Sequence, residues 1–238
     1  MPSFLNSTID TKIQVRLQVD ASAVQRRLPG SWRVAPSAEE VHRGTNLMVI
    51  FSDVLLRQDA DGSPSPDAVN RFVGFLIPAV DPQTGEKAVF MARIFSAHTA
   101  AVPGRYRNSV LADVTREQAV AGTGLHAVCS ERFALSHSGG GTIELRLRYH
   151  RGVPSRMAWP TTMRSAADPS IVRVYRSDAL LDVVRSLPAG IDRVEDYVLH
   201  VTVPELGDLF DGSERLVSIT VIPWFVRQEY GPAGASAS

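Results

Sequence analysis

Residues 46–56 read NLMVIFSDVLL and residues 71–80 read RFVGFLIPAV. Both are nearly continuous apolar runs, rich in β-branched and aromatic residues, which is typical of strands that are covered on both faces. The turn-forming stretch Asp61-Gly62-Ser63-Pro64 lies between them. The spacers between predicted strands are generally short and turn-forming, which favours antiparallel hairpins over crossovers through a helix. This part of the sequence predicts a β-sheet protein.

The strand pattern recurs along the rest of the chain. Further strands are predicted at 13–17, 87–96, 109–120, 125–136, 142–149, 171–175, 197–203 and 215–227. Helix signals are few: one helix at 20–28 with Asp20 as N-cap, one at 178–187 stopped by Pro188, and one short turn at 204–210. We therefore expect a mainly β (α+β) chain, an antiparallel, closed or nearly closed β-barrel with a few short helices. Residues 1–230 are predicted to form this single domain, and the small, polar residues 231–238 a disordered tail.

Composition narrows the class of partner. The 25 basic and 25 acidic side chains cancel, so no attraction to nucleic acid or to an anionic membrane is expected. Cys129 is the only cysteine, which fits a reducing compartment. The chain lacks a signal-peptide pattern and an apolar run of the roughly 20 residues that span a bilayer. We therefore expect a cytoplasmic protein whose partner is a small molecule, and exposed strand edges would allow a homo-oligomer.

The histidines give no metal signal. None of the six shows HxH or HExxH spacing, so no metal or other cofactor is expected. His98 follows the predicted strand 87–96 and could reach the mouth of a pocket, although a solvated loop histidine is the simpler interpretation.

Three charged residues lie in predicted strands among apolar neighbours: Asp53, Arg93 and Glu131. An ionised group on an apolar face is costly unless it is paired. We expect some of these residues to pair with each other or to line a polar cavity, and specifically expect Arg93 to pair with Asp53 or Glu131. A structural ion pair, or a strand end that reaches water, is the alternative.

Residues 13–120 contain a recognisable order of elements. A predicted helix ends in a Leu28-Pro29 step, and the strand NLMVIFSDVLL, a strand ending in Ile77-Pro78 and the apolar strand AVFMARIFSA at 88–97 follow. A glycine-containing loop, residues 103–109, then opens into the next strand. This order resembles that of the acetoacetate decarboxylase superfamily. The resemblance implies a β-rich fold with an internal small-molecule pocket.

The same resemblance locates the active site at the junction of that loop with the next strand. Active enzymes of the family carry Pro-Lys-Lys there, and one lysine forms a Schiff base with the substrate ketone. This chain reads Tyr106-Arg107-Asn108-Ser109 instead, and its only lysines, Lys12 and Lys87, are distant in sequence. The sequence therefore predicts the fold and the pocket but argues against Schiff-base decarboxylation.

The loop itself concentrates hydrogen-bond donors, contributed by Arg105, Tyr106, Arg107, Asn108 and Ser109. An arginine fork suits a carboxylate, and a tyrosine hydroxyl could orient or protonate an enolate. An ordinary surface turn would account for the same residues.

Two functions follow as hypotheses. The first is an acetoacetate decarboxylase-like enzyme (a lyase, isomerase or hydrolase) that acts on a small keto or carboxylic compound without Schiff-base chemistry. Arg93, Arg105 or Arg107 would bind the anion, and Asp53, Glu131 or Tyr106 would transfer protons. The second is a non-catalytic barrel that binds an apolar or carboxylated ligand, and a weaker third is a subunit that assembles through its strand edges.

Overall fold

The structure is a computed structural model that describes residues 3–65 and 69–231. Strands dominate it. They are β1 (Phe4–Gln18), β2 (Arg33–Val34), β3 (Leu47–Asp59), β4 (Asn70–Val80), β5 (Lys87–Ser96), β6 (Ser109–Ala121), β7 (Val128–His137), β8 (Thr142–His150), β9 (Ser155–Ser165), β10 (Val172–Ser186), β11 (Ile191–Asp192), β12 (Val194–Val201) and β13 (Arg215–Tyr230). The one α-helix within the described ranges is α1 (Ala21–Gln25), and short 3-10 turns lie at Glu40–His42, Thr99–Ala101, Gly124–His126 and Pro204–Leu206.

The strands join into one mixed sheet. Its order is β12-β8-β7-β6-β5-β9-β10-β13-β1-β3-β4-β2, and β4 pairs in addition with β5. Hydrogen-bonded pairing therefore runs without a break around the seven strands β5, β9, β10, β13, β1, β3 and β4. The strands β6, β7, β8 and β12 extend from this circuit as an arm.

Strand β5 changes its partner halfway along one edge. Its residues Val89, Phe90 and Met91 pair with β9, and its residues 94–96 pair with β6. Both pairings are parallel, which differs from the predicted antiparallel hairpins. The chain between β5 and β6, residues 97–108, is about as long as the dozen residues that a parallel return needs. This returning segment contains the donor-rich loop.

Strand β1 buries one face in its first half and the opposite face in its second. Thr8, Asp10 and Lys12 are buried, and after a register irregularity between Asp10 and Lys12 the buried residues are Ile13 and Val15. The apolar half packs in the main core with aromatic side chains such as Phe51 and Phe75. The polar half lies toward a smaller core formed by Leu76, Met91, Tyr106, Met163 and Tyr175, where the candidate site is located.

The predicted β-rich fold is confirmed, and so is the N-terminal helix signal. Asp20 caps α1 by accepting a hydrogen bond from the Ala23 backbone N–H at 2.7 Å. The helix predicted at 178–187 is wrong, because that segment belongs to β10. Pairing with β9 on one side and β13 on the other overrides the helix-like start and stop signals. Of the predicted tail, all residues after Gly231 lie outside the described residues. No helix in the described ranges is both long and apolar enough to cross a bilayer.

Candidate functional site

A cavity of about 350 Å³ lies against the polar half of β1. Its size is at the lower end of the roughly 300–1,000 Å³ of small-molecule sites. Apolar residues from β3, β4 and β5 form part of the wall: Val54, Phe72, Met91 and Ile94. The polar lining comprises Thr8, Arg57, Asn70, Ser96, His98, Arg105, Tyr106, Ser109, Tyr175 and Arg227.

Two arginines flank a threonine in one row across three neighbouring strands. Thr8 on β1 is paired in register with Arg57 on β3 and with Arg227 on β13. Side chains of directly paired residues project on the same face of a sheet, and all three line the cavity. Since neighbouring strands lie about 4.8 Å apart, the two arginine backbones are separated by roughly 10 Å.

This row contains unused hydrogen-bonding capacity. Arg57 Nε, Arg227 Nε and Thr8 Oγ1 are buried, and none has a hydrogen-bond partner among the residues that the structure describes. Thr8 is only 4 % exposed. Buried polar groups ordinarily find a partner, so these three atoms are available to hydrogen-bond with a polar group inside the cavity.

The next row along the sheet holds a buried acid. Glu229 is 1 % exposed and pairs in register with Asn6, whose amide donates to it at 3.0 Å. Arg105 from the loop and Arg173 from β10 both form ion pairs with this carboxylate. Burial lowers the pKa of Arg105, while the neighbouring carboxylate opposes that shift. The pair with Glu229 holds Arg105 against the sheet at the cavity wall.

Two tyrosines meet inside the cavity. The hydroxyls of Tyr106 and Tyr175 lie 2.6 Å apart in a hydrogen bond. Burial raises the pKa of Tyr106 well above its ordinary value, and Tyr175 adds to that shift. Burial likewise raises the pKa of Tyr175, although the Arg227 guanidinium, 4.7 Å from its ring centroid, opposes it. Both phenols are therefore neutral hydrogen-bond donors near neutral pH.

The loop that carries Arg105 and Tyr106 is held at both ends. The Ser109 backbone N–H donates to the Pro103 carbonyl at 3.0 Å, and the Ser165 hydroxyl donates to the Tyr106 carbonyl. Gly104 adopts a φ of +70°, and a Cβ at this position would lie 2.4 Å from the Ala101 carbonyl oxygen. Glycine is therefore required for this loop conformation.

The structure separates the predicted binding residues into two places. Arg105, Tyr106 and Ser109 line the cavity, whereas Arg93, Arg107 and Asn108 line a second groove. The expected partner of Arg93 is wrong, because its guanidinium binds both carboxylate oxygens of Glu205 at 2.7 Å. Glu205 lies in the 3-10 turn that follows β12. The pattern of residues within the strands could not have indicated this partner for Arg93.

The other two predicted residues in this groove, Arg107 and Asn108, make different contacts. Arg107 is mostly exposed and pairs with Asp168 at 3.0 Å. The side-chain amide of Asn108 donates to the Met91 carbonyl, beside the point where β5 changes partner. Asn108 thus ties the loop to the sheet rather than facing the cavity.

Asp53 and Glu131 also lie away from the described lining of the cavity. Arg116 on β6 joins them: it binds Glu131 through two hydrogen bonds of 3.1 Å and reaches Asp53 at 3.4 Å. Arg71 pairs with Asp53 and Gln118 donates to Glu131. Burial raises the pKa of Glu131, and Arg116 opposes that shift. This is a buried ion network between strands, as the alternative interpretation of these residues held.

The buried lysine belongs to a further ion pair. Lys12 lies 2.9 Å from Asp10 and 3.5 Å from the centroid of the Phe225 ring. Burial lowers the pKa of Lys12 to about 8, and the attraction of Asp10 opposes that shift. The described lining of the cavity includes neither Lys12 nor Lys87.

Sequence reasoning missed Thr8, Arg57, Tyr175 and Arg227. Their positions are separated by up to 219 residues (227 − 8), and only the registers of β1 and β13 bring them together. A signal was nevertheless present: Thr8, Asp10 and Lys12 form a polar alternation in the strand that continues into Ile13–Leu17 as an apolar one. Within residues 3–65 and 69–231, no three His, Cys, Asp or Glu side chains are grouped to hold a metal ion.

Comparison with known proteins identifies the fold. No protein-family model matches the chain, and no curated protein matches its sequence. An acetoacetate decarboxylase-like enzyme from Sphingomonas wittichii RW1 superposes with a TM-score of 0.60 at 16% identity, over 97% of this chain and 92% of that one. The enduracididine biosynthesis enzyme MppR, complexed with pyruvate, also gives 0.60, at 11% identity over 98% and 90% of the two chains. Acetoacetate decarboxylase from Legionella pneumophila gives 0.54 at 12% identity, over 100% and 88%.

Proposed function

We propose that this chain, which has the acetoacetate decarboxylase-like fold, is an enzyme that acts on a small keto or carboxylic compound without forming a Schiff base. One observation carries the proposal. The cavity combines arginine forks, which suit a carboxylate, with the hydroxyl pair of Tyr106 and Tyr175, which suits a carbonyl oxygen.

The tyrosine pair supports a reaction through an enolate. If one hydroxyl donates to the other, the second can donate to an oxygen in the cavity. A carbonyl oxygen gains negative charge as a carbon–carbon or carbon–hydrogen bond next to it breaks, and a fixed donor stabilises that charge. Loss of carbon dioxide and a proton shift beside a carbonyl are the two reactions that this arrangement favours. In the second, His98 is the residue of the lining that can accept the proton from carbon.

The fold neighbours support the substrate class. MppR, whose fold this chain shares, was crystallised with pyruvate bound and with HEPES buffer bound. A cavity of about 350 Å³ has room for ligands of that size. A cytoplasmic location fits the same proposal, since Cys129 is buried and free.

Proton NMR in D₂O tests the proposed activity directly. The protein is incubated with a panel of small 2-keto and 3-keto acids, and the signals next to the carbonyl are followed. We expect loss of substrate, or deuterium exchange at that carbon, for at least one compound. Tyr106→Phe should remove the reaction while retaining binding, and Tyr197→Phe on β12, outside the cavity, should react like the parent. A full panel that binds without any reaction would contradict the proposal.

The first testable prediction concerns the lysines. Because Lys12 pairs with Asp10 and Lys87 is exposed at the start of β5, we expect no imine with a keto acid. Treatment with pyruvate or acetoacetate and borohydride should leave the protein mass unchanged. A covalent adduct that maps to Lys12 would restore Schiff-base chemistry and overturn this part of the proposal.

A second candidate function is ligand binding without catalysis. The chemistry of the lining favours this function. Arginine side chains stay protonated near neutral pH, and so do Tyr106 and Tyr175, whose pKa values are raised. All of these groups therefore act as permanent hydrogen-bond donors. In that case calorimetry would record saturable binding of a carboxylate, and NMR would record no change in the ligand over a day.

A further inference from the structure

We infer that the cavity selects a doubly charged ligand, a short dicarboxylate, whose two carboxylates bind Arg57 and Arg227 on either side of Thr8. The inference rests on the proposed function and goes beyond it, because a monocarboxylic keto acid would satisfy the proposal equally well. It is carried by charge balance, by the register of three strands and by unused donors.

Within the described residues, two guanidinium groups of the lining, those of Arg57 and Arg227, have no ion pair with a buried acid. Of the three arginines in the lining, Arg105 is neutralised by Glu229. Arg57 has only the half-exposed Asp59, at 3.9 Å. Asp10 and Glu229 both attract the Arg227 guanidinium, but Lys12 engages Asp10 at 2.9 Å, and Arg105 and Arg173 engage Glu229. A monoanion would therefore leave one of the two guanidinium groups without a counter-charge, whereas a dianion would neutralise both.

The strand register places Arg57 and Arg227 on the same face of the sheet, two strands apart. Arg57 and Arg227 are both cross-strand neighbours of Thr8, so their backbones lie roughly 10 Å from each other on one face. Each guanidinium offers a planar fork that matches one carboxylate with two hydrogen bonds. Two forks with a hydroxyl between them fit a ligand that carries its charges at two ends.

The unused donors lie in the same row. Arg57 Nε, Arg227 Nε and Thr8 Oγ1 are the cavity-lining atoms among the buried, unpartnered side-chain atoms of the described chain. A dicarboxylate that spans the row would supply acceptors to all three. A phosphate group also carries two charges, but it concentrates them at one point and would have to draw both forks together.

Isothermal titration calorimetry on matched pairs of ligands tests the inference. Each dicarboxylate from malonate to adipate is compared with the monocarboxylate of the same number of carbons, and inorganic phosphate is titrated in parallel. We expect the best dicarboxylate to bind at least about tenfold more tightly than its matched monocarboxylate. Affinity should pass through a maximum along the series, because the two forks are a fixed distance apart.

Variants then assign the preference to the two arginines. In Arg57→Gln and in Arg227→Gln, the matched ligands should bind within about threefold of each other. Arg146→Gln on the exposed face of β8 is the control, and it should keep the parent's preference. If a cavity variant fails to fold, the comparison of matched ligands on the parent protein still tests whether the cavity prefers dicarboxylates.

The outcomes distinguish failure of this inference from failure of the proposed function. Equal affinity for matched ligands, or tighter binding of phosphate than of any dicarboxylate, would overturn the inference. If a monocarboxylic keto acid is turned over and no dicarboxylate preference exists, the inference fails and the proposed function stands. If the preference exists and no keto acid reacts, the inference stands and the enzymatic proposal fails.

Discussion

Arg116 is the counter-charge for two buried carboxylates, and its replacement tests whether they are structural. Arg116→Met would leave Glu131 and Asp53 with only partial compensation, from Gln118 and Arg71. Removing one partner of a buried ion pair ordinarily costs about 3–5 kcal/mol of folding free energy. We expect a loss of that order in urea unfolding.

The matched second change is Glu131→Gln in the Arg116→Met background, which should recover part of the lost stability. Ligand affinity at the cavity should stay near the parent value in all folded variants. A large loss of affinity with little loss of stability would instead place Glu131 in the functional machinery.

Lys12 and Asp10 give a pH-dependent prediction. Burial lowers the pKa of Lys12 from 10.5 to about 8. Between these two pH values the unfolded chain holds the proton that the folded chain has released, so stability rises with pH. We therefore expect the unfolding free energy of the parent, relative to the Asp10→Asn/Lys12→Met double variant, to increase from pH 8 to pH 10.5.

Urea titrations at several pH values across that interval provide the measurement. The double variant is the appropriate reference because it removes both charges together and leaves neither buried alone. A relative stability that stays constant across the interval would show that Lys12 keeps an ordinary pKa in the folded state, and a fall would show that its pKa is raised.

At the scale of single residues, the sequence located one wall of the cavity and missed the other. Arg105, Tyr106 and Ser109 follow one another in a loop, so a local pattern could indicate them. Arg57 and Arg227 look like ordinary strand arginines, and only their common pairing with Thr8 gives them a shared role. The charged residues Asp53 and Glu131 stood out in the sequence because their neighbours are apolar, and in the structure Arg116 joins them away from the described lining of the cavity.

The loop before β6 depends on Gly104. Gly104→Ala would add a Cβ that meets the Ala101 carbonyl oxygen and the Ser109 hydroxyl, at a φ that disfavours side chains. We expect weaker ligand binding, because Arg105 and Tyr106 are carried by this loop, together with a loss of stability of a few kcal/mol.

Gly85→Ala supplies the control for that change. Gly85 has a similar φ of +73°, but nothing lies within 4 Å of its Cβ position. This variant should show only the backbone cost of about 1–2 kcal/mol and unchanged ligand affinity. Equal losses of affinity in both variants would show that the loop does not control the cavity.

At the scale of elements, strands with strong alternation or continuous apolar runs were predictable, and strands without either pattern were not. Strand β5 has the predicted bounds, 87–96, because its apolar residues are covered on both faces. Strand β9 was missed, since most of its residues from 155 to 160 are exposed and Pro160 interrupts any pattern. Strand β10 was mistaken for a helix in its second half, because capping residues are local whereas its two partner strands are distant.

The molecule as a whole should have the spectrum of a strand protein. Its one described α-helix spans five residues, far below the roughly one-third helix of an average globular domain. We expect far-UV circular dichroism dominated by the β-sheet signal, with little intensity at 222 nm. A helix fraction near one-third would contradict the described fold.

The pairing of β1 with β13 has a consequence for how the protein is made. Thr8 leaves the ribosome long before Arg227, yet the two are neighbours in the finished sheet. Until the C-terminal strand has been synthesised, β1 can pair with β3 alone, and its other edge stays open to unwanted partners. Contacts between such distant segments also slow folding. Because residues of both β1 and β13 line it, the cavity is complete only after the C-terminal strand has paired with β1.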